Sequence, residues 1–276
     1  MSSSATPVPG AEHVDRAAHV VCHVWGAAPL PAPHRFLPLL GDAERARFAA
    51  YAHEGDRARF VTGRMLAKAA LSHELGTDLE SVVLRAQCPD CGGPHGKPRP
   101  QGAAADWELS ISHSEDRVLV AVAQGGPIGL DVEELAAPVD LAAPGDADEP
   151  AEAALVLTPA EREALRALPP GARRRAFLTY WTRKEAVLKA TGHGLAVPMT
   201  DFTVSAPDRP AALVEWNGPG GDSVRAVLTD LTDQEQGELA LGDAYLATLA
   251  VLGTAPVEVR AHSGAERIAA AVPALR

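Results

Sequence analysis

The chain has 276 residues, an apolar fraction of 46% and a formal net charge of −11. That length holds one large domain or two small ones, and the acidic balance argues against non-specific nucleic-acid binding as the main role. No apolar run reaches the length of a membrane span, residues 1–7 lack the charged and apolar regions of a signal peptide, and three cysteines make no disulfide framework. The expectation is a cytoplasmic protein bound to neither membrane nor nucleic acid.

In chain order, residues 1–13 have the composition of a disordered leader. Residues 20–25 read as a strand. Asp42 is placed to cap a helix that includes Phe48 and Tyr51, Gly55 interrupts, and Asp56 opens a longer helix stopped by Gly76. Residues 79–84 read as a strand and 87–104 as a loop rich in Gly, Pro and Cys. Alternation over Trp107, Leu109 and Ile111, then a continuous apolar run over 118–123, predicts two strands joined by a hairpin at 114–117. A turn at 124–127 is the candidate boundary between halves, followed by a strand over 128–132.

Residues 136–151 read as a mobile insertion rich in Ala, Pro and acids. Thr158-Pro159-Ala160-Glu161 is a capping-box pattern for a helix that ends at Pro169-Pro170. A second helix is expected over 172–190 with Gly192 as its stop, then strands near 202–204, 212–216, 223–228 and 244–252. The predicted organisation is a leader (1–13), an N-terminal half (14–124), a C-terminal half (125–256) and a tail (257–276), each half an α+β unit.

The chemistry concentrates in a few short motifs. Only four of the 25 basic residues are lysine, and Lys97, Lys184 and Lys189 fall in two of these motifs. Lys is a compact point charge that can release a proton, whereas Arg effectively cannot. Asp131 and Glu133 are two apart on a predicted strand, so both carboxylates share a face and can meet one cation. On the helix, Trp181, Glu185 and Lys189 fall at spacings of four and share a face. Glu185 can act as a third metal ligand or a base, and Lys189 can hold a phosphate. Ser112 and His113 end a hairpin strand, Lys97 follows a Gly-rich loop, and Arg45, Arg47, Arg57, Arg59 and Arg64 cluster in one helical region. Each motif alone also fits a solvated surface. Cys88, Cys91 and His95 offer three zinc ligands, with only the distant Cys22 or His23 to complete a site.

Taken in order, Gly96-Lys97-Pro98, Ser112-His113-Ser114, Gly129-Leu130-Asp131-Val132-Glu133 and Trp181-Thr182-Arg183-Lys184-Glu185-Ala186-Val187-Leu188-Lys189 resemble the Sfp-type 4′-phosphopantetheinyl transferases. The resemblance runs from about Arg45 to Val204. It implies an α+β fold of two similar halves related by a pseudo-twofold, each a small antiparallel sheet packed with helices, acting as a monomer. It implies transfer of phosphopantetheine from coenzyme A to the serine of an apo acyl- or peptidyl-carrier protein, releasing adenosine 3′,5′-bisphosphate. By motif match Asp131, Glu133 and Glu185 become Mg²⁺ ligands, Glu185 the base on the serine, and Lys189 the contact to phosphates and leaving group. Lys97, Ser112 and His113 become coenzyme A contacts, and Arg59 and Arg47 match its phosphate-binding positions. Two other readings of the residues stay open: another Mg²⁺-dependent nucleotide transferase or hydrolase, and a non-catalytic module that binds coenzyme A or a carrier.

Overall fold

The computed structural model describes residues 19–88, 91–93, 96–136, 152–232 and 237–271. The expected leader, and the expected insertion apart from Ala136, lie outside those residues.

The first half runs β1 (Val20–Ala27), α1 (Asp42–Ala50), α2 (Glu54–Leu75), β2 (Leu84–Ala86), β3 (Pro98–Pro100), β4 (Glu108–Ser114) and β5 (Arg117–Ala123). The second runs β6 (Ile128–Glu134), α3 (Ala153–Val156), α4 (Pro159–Ala167), α5 (Pro170–Thr191), β7 (Phe202–Val204), β8 (Leu213–Trp216), β9 (Ala226–Leu231) and β10 (Tyr245–Leu252). β11 (Val257–Ser263) and α6 (Ala265–Ala271) follow. β1 pairs with β5 and β5 with β4; β6 pairs with β10 and β10 with β9, all antiparallel. β2–β3 and β7–β8 are small two-stranded sheets at equivalent places. α2 and α5 are each 22 residues long and end on a left-handed glycine, Gly76 (φ 64°) and Gly192 (φ 76°). One α+β plan is thus used twice.

The apolar patterns explain the layering. In β5, Val118, Val120 and Val122 join the core beneath α2, while Leu119, Ala121 and Ala123 face a second core shared with Ile128, Leu130 and Val132 of β6. Burial on both faces is why that strand has no polar alternation. α5 covers the other face of the second sheet through Phe177, Ala186, Val187 and Ala190. β6 comes so close to α5 that a Cβ on Gly129 would lie 1.9 Å from the Ala186 carbonyl oxygen. Only glycine permits that approach.

Several expectations shift. Gly41, not Asp42, is the N-cap of α1, and α2 begins at Glu54 with Gly55 inside its first turn. The expected strand over 79–84 is a 3₁₀ turn (Leu79–Ser81) before the short β2, and the expected loop contains β3. The stretch after Pro256 crosses back: β11 lies parallel to β1 at the edge of the first sheet. The capping box is as expected, with Glu161 N–H donating to Thr158 Oγ1 at 3.3 Å and Thr158 N–H to Glu161 Oε2 at 2.8 Å.

Candidate active site

The site is built where β4 runs beside β6. Alternate residues of β6 turn their backbone groups away from β10, leaving an edge that must be satisfied. Three serines of β4 do so. Leu130, Val132 and Glu134 N–H donate to Ser110, Ser112 and Ser114 Oγ at 2.9, 3.3 and 3.1 Å. Ser112 Oγ in turn donates to Asp131 Oδ1 at 2.9 Å, and Ser114 Oγ to Glu133 Oε2 at 3.0 Å. The ladder of hydroxyls therefore seals the sheet edge and aims the two carboxylates. Each such bond contributes about 1 kcal/mol, and orphaning a buried partner costs about 1–3.

The nine residues to which the resemblance gives a role line one cavity of about 490 Å³: Arg47, Arg59, Lys97, Ser112, His113, Asp131, Glu133, Glu185 and Lys189. Arg64 joins them, and Tyr51, Phe60, Ile111 and Trp181 form apolar wall. Of the remaining arginines of that helical region, Arg45 bonds Leu40 O and Asp42, and Arg57 bonds Tyr51 O and Glu54, away from the cavity.

The two sides of the cavity differ in charge. On the first-half side, Arg64 lies over Phe60 at 4.9 Å and pairs with Glu44 at 2.8 Å. Arg47 reaches Tyr51 Oη at 3.4 Å, and Arg59 bonds Asp56 at 2.6 Å. His113 is held below the ordinary imidazole range by partial burial and by Arg59. On the second-half side, Lys189 Nζ bonds Asp131 Oδ1 at 2.5 Å and Ser112 Oγ at 3.0 Å. Asp131 is 3% exposed and its Oδ2 has no hydrogen-bond partner among the described residues. Burial, then the Asp131 charge, pushes Glu133 up to about 7, against hydrogen bonds from Ser114 and Trp181. Glu185 is raised by the same two causes, with Lys189 opposing.

Three partly desolvated carboxylates with one orphaned oxygen are a donor set of the kind hard divalent cations take. As placed, no three His, Cys, Asp or Glu side chains among the described residues converge closely enough to hold a metal ion. His95 of the possible zinc set lies outside the described residues. Neither partner that could complete it is free to do so. Cys22 is buried, its thiol pushed up to about 12, and His23 is committed to Glu74 at 2.9 Å and His262 at 3.1 Å.

Residues 127–242 match the model of the 4′-phosphopantetheinyl transferase superfamily. The chain is 32% identical over 197 residues to the 4′-phosphopantetheinyl transferase HetI of Nostoc sp., a match covering 69% of this chain and 77% of that protein. The chain belongs to the 4′-phosphopantetheinyl transferase superfamily. A 4′-phosphopantetheinyl transferase of Bacillus subtilis is 27% identical over 201 residues, covering 73% of this chain and 81% of the relative. A partial structural likeness is to the holo-[acyl-carrier-protein] synthase of Thermotoga maritima, with 20% identity and a TM-score of 0.32 over 46% of this chain and 63% of that one. Within the transferase motif around α5, the structure separates two kinds of residue. Trp181, Glu185 and Lys189 line the cavity, whereas Arg183 and Lys184 are buried struts. Lys184 Nζ bonds Met199 O at 2.8 Å, Phe202 O at 2.7 Å and Glu161 Oε2 at 2.7 Å, and Arg183 pairs with Asp230 at 2.6 Å. Lys68 is likewise buried, donating to Val82 O. Two of the chain's four lysines thus serve backbone carbonyls. The Arg173-Arg174-Arg175 run also meets backbone, at Leu168, Leu135 and Asp243 oxygens, with Arg175 exposed.

Proposed function

We propose that the enzyme transfers 4′-phosphopantetheine from coenzyme A to the serine of an apo acyl- or peptidyl-carrier protein, with Mg²⁺, releasing adenosine 3′,5′-bisphosphate. The observation that carries this reading is the two-sided cavity, with cations on the first-half wall facing three carboxylates and Lys189 on the second. A polyanionic coenzyme needs the first wall, and a metal-assisted phosphoryl transfer needs the second.

Asp131, Glu133 and Glu185 would hold the cation, which supplies charge neutralisation on the pyrophosphate. Arg47, Arg59 and His113, which line the cavity, would bind coenzyme phosphates. Glu185 takes the proton of the incoming serine hydroxyl as its oxygen bonds the phosphorus that bears pantetheine. The bond from that phosphorus to the bridging oxygen breaks, and the electron pair leaves with adenosine 3′,5′-bisphosphate. Lys189, one turn after Glu185, offsets or protonates that leaving oxygen. Ser112 orients Asp131. The reading takes the enzyme as a cytoplasmic monomer without a nucleic-acid partner. No helix among the described residues is long and apolar enough to cross a membrane.

The test follows both products. Purified enzyme with coenzyme A, Mg²⁺ and an apo carrier should release adenosine 3′,5′-bisphosphate, resolved by chromatography, and release should stop when the carrier serine is replaced by alanine. Release that continues without a carrier would favour a nucleotide hydrolase. No release with fatty-acid, polyketide and peptide carriers would favour a binding module.

A further inference from the structure

Lys97 lines the cavity, so a phosphate contact is the first reading of its charge. Its ammonium is directed elsewhere. Nζ donates to Ile128 O at 2.7 Å and Lys189 O at 3.0 Å, and Glu108 Oε2 lies at 3.7 Å. An ammonium has three N–H donors; the two carbonyls take two of them, and the Glu108 carboxylate faces the ammonium as an ion pair. The arrangement repeats that of Lys184, where two backbone carbonyls and one carboxylate surround an ammonium with no route to a ligand.

The two carbonyls show what is being held. Ile128 O belongs to the edge of β6 whose N–H groups are taken by the β4 serines, three residues before Asp131. Lys189 O lies in the last turn of α5, where carbonyls lack intrahelical partners and the helix dipole is negative. A single side chain from the first half therefore spans the β6 edge and the α5 end. Those two elements carry Asp131 and Glu133 on one side, and Glu185 and Lys189 on the other.

We propose that Lys97 is a positioning residue: it fixes β6 against the end of α5, and so sets the spacing of the Asp131–Glu133 pair from Glu185 and Lys189, rather than holding a coenzyme phosphate. The catalytic part of this inference rests on the transferase reading above; the structural part does not. A planar guanidinium fork does not fit a site shaped for a compact ammonium between two carbonyls, so arginine should not replace it.

The experiment uses Lys97→Met and Lys97→Arg in the full chain, with melting temperature to confirm folding. Coenzyme A affinity is measured by calorimetry without carrier, kcat and KM with an apo carrier, and hydrogen exchange on the protein alone. In both variants, coenzyme affinity should stay within about twofold and kcat should fall about 10–100-fold, as sub-ångström to 1 Å misplacement produces. Exchange should rise over residues 188–193. Overturning results are a tenfold weaker coenzyme affinity with kcat kept, or full rescue by Lys97→Arg with unchanged exchange. If wild type transfers nothing, the transferase reading fails, while the exchange result still decides whether Lys97 is the clamp. If Lys97→Met does not fold, Lys97→Arg alone decides between the outcomes.

Discussion

The two halves share one plan and point it at different chemistry. In the second, Lys189 stands three residues before Gly192 and its side chain meets Asp131 on β6. In the first, His73 stands three residues before Gly76 and meets Trp25 on β1, with ring centroids 5.4 Å apart. Glu185, seven residues before its glycine, corresponds to the fully buried Ala69. The open edge of β6 is satisfied by serine hydroxyls and Lys97, which leaves a cleft. The same edge of β1 is closed by the backbone of β11, whose His262 stacks on Trp25 at 4.5 Å. The scaffold alone therefore does not make a site. How a strand edge is satisfied decides whether a cavity opens there, and two or three side chains decide its chemistry.

The largest way to sharpen the contrast is to remove matching residues on each side. Asp131→Ala or Glu185→Ala should lower transfer by at least about 10³-fold, the scale of losing an electrostatic or acid–base group, with far-ultraviolet circular dichroism unchanged. His73→Ala should leave kcat within about twofold. Comparable losses in the three variants would break the contrast.

The buried lysines give the next effect. Lys68 and Lys184 each stand eight residues before the capping glycine and bond the carbonyls that follow their helix. Lys184→Met strands the buried Glu161 carboxylate and should cost about 3–5 kcal/mol in denaturant unfolding. Lys68→Met removes a carbonyl contact and should cost about 1–3 kcal/mol. Equal costs would mean that the Glu161–Lys184 pair adds nothing.

The smallest effect is pH dependence on the first side. His23 and His262 have ring nitrogens 3.1 Å apart. Burial, foremost, and neighbouring cations including His73 hold both below the ordinary 6.5, with Glu74 opposing. The folded state then binds fewer protons than the unfolded one just below 6.5, so this stability is full above that value and is lost as pH falls through the window. Between pH 7 and about 5.5, His262→Phe should lose less in melting temperature than wild type. Parallel curves would remove the histidines from the account.

Much of the molecule was legible because its signals are local. Thr158 with Glu161, Gly76 and Gly192 mark helix ends by cap chemistry alone, and the run over 118–123 marks a strand buried on two faces. Asp131 with Glu133, and Glu185 with Lys189, are tied by strand and helix periods, so each pair could be read from spacing, and the resemblance implied that the two pairs meet, as they do in one cavity. What stayed hidden depends on distant partners. The two-residue spacing of Ser110, Ser112 and Ser114 fits a solvated face as well as an edge seal, and only β6 distinguishes them. Lys97 and Lys184 look like charges for a ligand until their carbonyls are seen. β3 carries two prolines, which ordinarily demote a strand, and survives in a two-stranded ribbon with β2, three residues long. β11 pairs with β1 across more than two hundred residues, Val20 opposite Val257, so no local pattern names its partner.

The central claim, that the cavity between the halves carries the chemistry, is tested most directly by intact mass. Apo carrier incubated with enzyme, coenzyme A and Mg²⁺ should gain the mass of one phosphopantetheine. The gain should be absent with chelator and in Glu185→Gln, and retained in His73→Ala. A full mass gain from Glu185→Gln, or one unaffected by chelator, would contradict it.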